Sequence, residues 1–273
     1  MKSFISLVCA IEFIESNLRT RIAVGDVAEA AYLSLSHLQG MFARTLHISV
    51  GDYVAKRKLC LAARDLIDSD ASVTDIAFDF GYANVESFSR AFKKQFLHTP
   101  SVYRRRYRFS ELYPRLLVDE KEGFNRVKSY DLTSISEKIL ASKGTYIICA
   151  DIDHLMTINE QLGHAAGDAA IAETAARIDA SVEPGMDYVR AGGDHFVILT
   201  GSKDIAVSEG IAERIIALAE QDVVWSGGTF RFSVSMGIVR IPTDIQDAKE
   251  TIERSERAMI AAKQACRNSY KVM

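Results

Sequence analysis

Asp75–Arg106 reads DIAFDFGYANVESFSRAFKKQFLHTPSVYRRR, and its spacing predicts a short helix, a tight turn and a second, longer helix. Phe88, Phe92 and Phe96 recur every four residues, so they share one stripe of the second helix, and such a stripe must be buried. The other face carries Glu86, Ser87, Ser89, Arg90, Lys93 and Lys94. Gly81 supplies the backbone freedom for a tight crossing of the two helices. Pro100 is predicted to end the longer one, because the residue before a proline is pushed out of the helical region. Arg104, Arg105, Arg106 and Arg108 follow, a cluster suited to a phosphate backbone. An amphipathic helix held by a turn, with basic groups outward, fits a DNA major groove.

The pattern occurs twice. In Val27–Arg44, VAEAAYLSLSHLQGMFAR, Val27, Ala28 and Ala31 repeat as one helix face, Ser34 is a good N-cap, and Leu38, Met41 and Phe42 face inward. Ser36, His37, Gln39, Gly40 and Arg44 face outward. Val50–Leu66 has the periodicity and length of a helix linking the two units. Ile76-Ala77, Gly81-Tyr82, Phe88–Lys93 and Pro100–Arg104 resemble, in order and spacing, the second helix-turn-helix of the AraC/XylS family of bacterial transcription regulators; Val27–Arg44 resembles the first. The resemblance spans about residues 11–108 and implies an all-α domain that binds double-stranded DNA. It makes Arg90 the leading base contact, with Ser36, Gln39, Glu86 and Ser87 as further candidates and His37 beside them. Arg44, Lys93, Lys94 and Arg104 are the expected phosphate contacts. Gly40 departs from the larger polar residue usual in the family, so the first unit is expected to position more than to read.

The 273 residues suffice for about two domains. Residues 1–108 carry 15 Lys/Arg against 11 Asp/Glu, and the remainder 18 against 25. A mildly basic half and an acidic half imply different partners, and the acidic half is not expected to bind DNA without a metal or a local basic patch. Cys9, Cys60, Cys149 and Cys266 lie far apart with no CxxC or zinc-type spacing, and read as buried free thiols. No signal peptide opens the chain, and Phe4–Ile14, interrupted by Glu12, is too short to span a membrane, so a cytoplasmic setting is expected. Tyr113-Pro114, Gly123 and mixed charges mark 109–130 as a linker between domains 1–108 and 131–273.

In the second half, Thr145–Ala150 is an apolar run of β-formers that ends in Asp151-Ile152-Asp153, and carboxylates at a strand's end commonly bind a divalent metal. Gly163–Asp168 leads into an Ala-rich helix, Ala169–Ile178. Tyr188–Leu199 reads as two strands around a Gly192-Gly193 turn that presents Asp194 and His195. A helix at Ile205–Gln221, a hairpin at Ser226–Gly228, a strand at Phe230–Ile241 and a helix at Ala248–Cys266 complete the half. This order predicts an α/β, palm-like domain with a central, mostly antiparallel sheet.

DIDHLMTINEQLGHAAGD (Asp151–Asp168), GGDHF (Gly192–Phe196), Ser233–Ile238, Ala262-Lys263 and Arg267-Asn268 resemble the GGDEF family, whose active members join two GTP molecules into cyclic di-GMP. The resemblance implies Asp151 and Asp194 as ligands of Mg²⁺, Asn159 and Asp168 on the guanine edge, Lys263 and Arg267 on the triphosphate, and Gly192 and Gly193 as the place where backbone approaches the nucleotide. Asp168 also reads as a helix cap. His195 stands where the family has glutamate and Met156 where it has a phosphate-contacting lysine. Glu160 replaces an aspartate, only Asp131-Leu132-Thr133 remains of the opening signature, and Glu183 and Met186 replace the inhibitory-site Arg-x-x-Asp. His195 exchanges an anion for an imidazole beside a cation that prefers oxygen; its plain alternative is a solvated turn residue. A degenerate domain that senses GTP or a related guanine nucleotide with Mg²⁺, or that mediates a homodimer, is the expectation. The alternative, an active diguanylate cyclase with a DNA-binding input, rests on the retained Asp151, Asp194, Lys263 and Arg267.

Overall fold

Polar side chains set where helices begin in the first half. Ser34 accepts from His37 N, Ser49 from Asp52 N, Ser72 from Asp75 N and Asn84 from Ser87 N, each satisfying a backbone N–H that a first helical turn leaves unpaired. This computed structural model describes residues 2–46, 48–106, 112–113, 115–117, 129–130 and 133–273, arranged as two units, Met1–Asp131 and Leu132–Met273.

The first unit contains α1 (Lys2–Ser16), α2 (Val24–Ala30), α3 (Leu35–Met41) with a π-helical turn at Phe42–Leu46, α4 (Val50–Asp68), α5 (Val73–Asp79), α6 (Val85–Phe96) and α7 (Pro100–Arg106). Leu7, Ala10, Ile11 and Ile14 of α1 are buried with Val27, Ala28, Ala31, Leu38, Met41 and Phe42, so α1 roofs the first helix-turn-helix. The α6 stripe is buried as expected: Phe92 stacks on Phe96 at 4.5 Å and meets Tyr103 of α7 edge-on at 5.3 Å. Linking helix α4 ties the unit together through two buried cations. Arg57 pairs with Glu15 of α1 at 2.8 Å, and Lys58 Nζ donates to Thr20 O and Phe80 O at 2.6 and 3.0 Å. Burial lowers the Lys58 pKa.

Two expectations about this half change. The longer helix stops at Phe96, where Leu97 adopts the left-handed conformation at φ 61°; Pro100 instead opens α7, where a missing N–H costs nothing. The segment expected as a linker contributes β1 (Leu116–Leu117) and β2 (Ser129–Tyr130), paired antiparallel. Arg108, Gly123, Asp131 and Leu132 lie outside the described residues.

The second unit begins with α8 (Thr133–Ala141) and β3 (Tyr146–Ile152), followed by α9 (Leu155–Leu162) and α10 (His164–Ser181). The chain continues through β4 (Asp187–Arg190), β5 (His195–Leu199), α11 (Ile205–Ala217), β6 (Val223–Trp225), β7 (Gly228–Phe230), β8 (Val234–Arg240), α12 (Ala248–Ala265) and β9 (Tyr270–Val272). The main sheet has the order β4-β5-β3-β8-β9, antiparallel except for β8–β9. β6 and β7 form a separate pair. The strand expected over Phe230–Ile241 is therefore broken. Residues 228–230 pair with β6 and residues 234–240 with β3, and between them Arg177 lies 4.2 Å above the Phe232 ring and donates to Phe232 O. The Ala-rich helix starts at His164, not Ala169, with Gly163 at its cap, so Asp168 sits inside α10 and does not cap it.

Candidate functional site

The first unit presents an outward face on α6. Asn84 fixes the start of the helix, and Ser87 returns a hydroxyl bond to Asn84 O at 2.8 Å, which commits part of its polar capacity locally. Glu86, Arg90, Lys93 and Lys94 are exposed, opposite the buried phenylalanines. On α3, Ser36, His37 and Gln39 are exposed while Leu38 and Met41 are buried. A Cβ at Gly40 would come 3.2 Å from Nη1 at the free end of the exposed Arg44 side chain, a contact that side chain can relieve. Arg104 differs from its neighbours. It is half-buried and bonds Leu66 O at 2.9 Å and Ala71 O, so it clamps the α4–α5 connection. The exposed cations of α6 are Arg90, Lys93 and Lys94, and Arg105 is exposed on α7.

In the second unit the β3–β5 register places Asp151 directly opposite His195. Asp151 is 3 % exposed, and both its oxygens are taken by nitrogen. Oδ2 lies 2.5 Å from His195 Nε2, and Oδ1 bonds Lys263 Nζ. His195 thus opens a strand and holds a partner; the solvated-turn alternative does not describe it. Burial pulls the His195 pKa down, but the bond to Asp151 and the charges of Asp151, Asp194 and Glu256 outweigh it and leave the imidazole above its ordinary value. Asp194 Oδ1 is 3.9 Å from His195 Nδ1. Asp153, expected beside the metal, is buried and structural: it accepts from Ser233 and Ser235 hydroxyls at 2.7 and 2.9 Å and from Asn268 N at 3.2 Å.

Sequence reasoning missed Arg190, whose Nε bonds Gly192 O and Gly193 O at 3.1 and 3.2 Å. Together with Ala191 N on His195 O at 2.8 Å, it braces the Gly-Gly turn. A Cβ at Gly193 would meet nothing within 4 Å, whereas one at Gly192 would come within 3.1 Å of His195 Nδ1; open space therefore lies on the Gly193 side. Asn159 packs against the bare backbone of Gly167, next to half-buried Asp168. Arg267 is exposed, in the turn after α12, with Nε 4.0 Å from Asp153 Oδ1. Met156 is 73 % exposed on α9.

A hard ion such as Mg²⁺ wants an octahedron of oxygens. The residues here do not fit that demand: one of the three donors is an imidazole, and the buried carboxylate already bonds two nitrogens.

Sequence comparisons agree with the two-unit architecture. Residues 27–106 match the helix-turn-helix domain family, and residues 126–269 match the diguanylate cyclase GGDEF domain family. Regulatory protein SoxS of Escherichia coli is 38 % identical over 96 residues, which are 35 % of this chain and 90 % of that protein. An uncharacterized signaling protein of Caulobacter vibrioides is 32 % identical over 46 % of this chain and 16 % of its own length. Diguanylate cyclase A of Treponema denticola is 29 % identical over 51 % of this chain and 37 % of its own length. The chain thus spans well under half of those two relatives. Among solved structures, the GGDEF domain of YfiN from Pseudomonas aeruginosa aligns with TM-score 0.47 and 27 % identity, covering 51 % of this chain and 85 % of that one. No helix among the described residues is long and apolar enough to cross a membrane. The chain belongs to the diguanylate cyclase GGDEF domain family and carries, ahead of that domain, a helix-turn-helix domain of the AraC type.

Proposed function

We propose that this protein is a sequence-specific transcription regulator whose GGDEF domain makes no cyclic di-GMP and instead responds to a guanine nucleotide. The DNA-reading part rests on the exposed Arg90, Lys93 and Lys94 face of α6 over its buried phenylalanine stripe. Loss of catalysis rests on one observation above the others: both oxygens of Asp151 are held by nitrogen donors, one of them the His195 imidazole. Joining two GTP molecules calls for a metal between the reacting oxygens, and exposed Met156 brings no charge to the phosphates.

Guanine recognition falls to Asn159 and Asp168. A carboxylate accepts paired hydrogen bonds from the ring N–H and amino group of guanine, and adenine offers no such pair. A site built around those bonds discriminates strongly, because the wrong base leaves a polar group unmatched. Lys263, which bonds Asp151, and the exposed Arg267 are the cations offered to phosphates. Self-association as a homodimer remains the role for this domain if no nucleotide binds.

The test is incubation of the full chain with GTP and Mg²⁺, alongside calorimetric titration with GTP and ATP. No cyclic di-GMP, a preference for GTP, and loss of that preference in Asp168→Ala are the expected results. Product at ordinary enzyme rates overturns the silent-domain reading. Equal affinity for GTP and ATP overturns guanine sensing.

A further inference from the structure

Leu112 and Tyr113 are only 1 % and 9 % exposed, in a stretch whose sequence reads as linker. The helix-turn-helix match ends before them, at residue 106. Tyr113 is docked on linking helix α4. Arg57 Nη1 donates to Tyr113 O at 2.7 Å, and Tyr113 N donates to Cys60 Sγ at 3.1 Å. Lys56 Nζ lies 4.3 Å from the centre of the Tyr113 ring, where an ammonium is attracted to the ring face.

The same three α4 residues hold the two reading units. Arg57 Nε and Nη2 donate to Glu15 of α1 at 2.8 and 2.9 Å, and α1 roofs the first helix-turn-helix. Gln95 Nε2 of α6 donates to Lys56 O at 3.1 Å and to Cys60 Sγ at 3.5 Å, and α6 carries the exposed Arg90, Lys93 and Lys94. We propose that Leu112–Tyr113 is a clip on α4 that fixes how the two reading units stand to each other, and that its release weakens DNA reading. The inference rests on the DNA-reading part of the proposed function and not on nucleotide sensing.

Two physical arguments support a coupling. Arg57 is 5 % exposed, so withdrawal of Tyr113 O takes an acceptor from a buried cation and disturbs its pairing with Glu15. Two binding modules on one chain reinforce each other only as far as their separation matches the site. A looser α4 hub therefore costs affinity for a two-groove site even when each reader is intact.

The experiment uses the full chain carrying Cys9→Ala and Cys266→Ser. Those two thiols are half-buried and exposed, against the expectation that all four are buried, while Cys60 and Cys149 are buried. Affinity is measured for the DNA site selected from genomic fragments and for the same site with a base pair inserted between its halves. Labelling of Cys60 by a thiol reagent is followed by peptide mass. Tyr113→Ala should weaken binding to the uninserted site roughly tenfold, narrow the preference over the inserted site and speed Cys60 labelling. Tyr113→Phe, which keeps the ring and both backbone bonds, should match the parent. Linkage adds a test that needs no substitution in the clip: DNA should slow Cys60 labelling in the parent and not in Tyr113→Ala. A Tyr113→Ala chain that loses thermal stability but keeps the parent's spacing preference overturns the clip, as does labelling that DNA leaves unchanged in the parent or slows equally in both; DNA reading stands in each case. A parent that selects no DNA sequence overturns both.

Discussion

Gly237 sits in the middle of β8, paired with Cys149 on one side and Lys271 on the other. Helix α12 crosses it so closely that a Cβ would lie 2.1 Å from Ser255 O, 2.4 Å from Met259 N and 2.8 Å from the Ala258 Cβ. Ordinary contacts begin near 3.4 Å, and the two nearest atoms are helix backbone, so no side-chain rotation relieves the overlap. Gly237→Ala must push α12 back by about 1 Å along a face that buries Ala258, Met259 and Ala262. Overpacking of this kind costs about 1–3 kcal/mol, and a clash with backbone places it at the upper end. For a unit of this size, about 3 kcal/mol lowers Tm by roughly 10 °C. The helix also carries Lys263, so its retreat loosens the Asp151 pair. Trp225, the one tryptophan of the chain, lies in this unit and reports its unfolding by fluorescence. A Gly237→Ala melt within about 2 °C of the parent would refute the close α12–β8 packing.

Phe92→Ala should destabilise the first unit by about 3–5 kcal/mol, because its ring is fully buried among Phe88, Phe96 and Tyr103; a urea melt followed by far-ultraviolet dichroism checks this. Arg90→Ala should weaken binding to the preferred DNA site by about 1–3 kcal/mol if it reads a base edge, while equal loss on scrambled DNA would mark a phosphate contact. His195 has a raised pKa in the folded state, so its stabilisation is complete below the unfolded value of about 6.5 and is lost as pH rises through the folded value. Trp225-monitored stability should therefore decline above pH 6.5, and His195→Gln should flatten that decline.

What the sequence disclosed follows from how local each determinant is. The Phe88-Phe92-Phe96 stripe was legible because a four-residue period and burial say the same thing, and Ser34 was legible as a cap because its bond closes within three residues. Leu97 as a left-handed stop was not, since glycine is the residue that usually signals it. Tyr32 shows the same limit: it holds φ 56° at the turn of the first unit, where the second has Gly81 at 77°. β9 escaped notice because three residues pairing in parallel with β8 depend on tertiary contacts. In the candidate site, residue identities were legible from the motif, but roles set by register were not. His195 on Asp151, Arg190 on the turn carbonyls and Asp153 as a structural acceptor all join residues that only strand pairing and side-chain packing bring together.

The central claim, that this chain reads a DNA sequence, is tested most directly by selecting genomic fragments with the full protein at low salt and then titrating salt on the enriched site. A recurring short motif should emerge, and log K should fall linearly with log salt as phosphate-bound counterions are displaced by Arg and Lys. Selection that enriches no sequence at low salt would contradict the account.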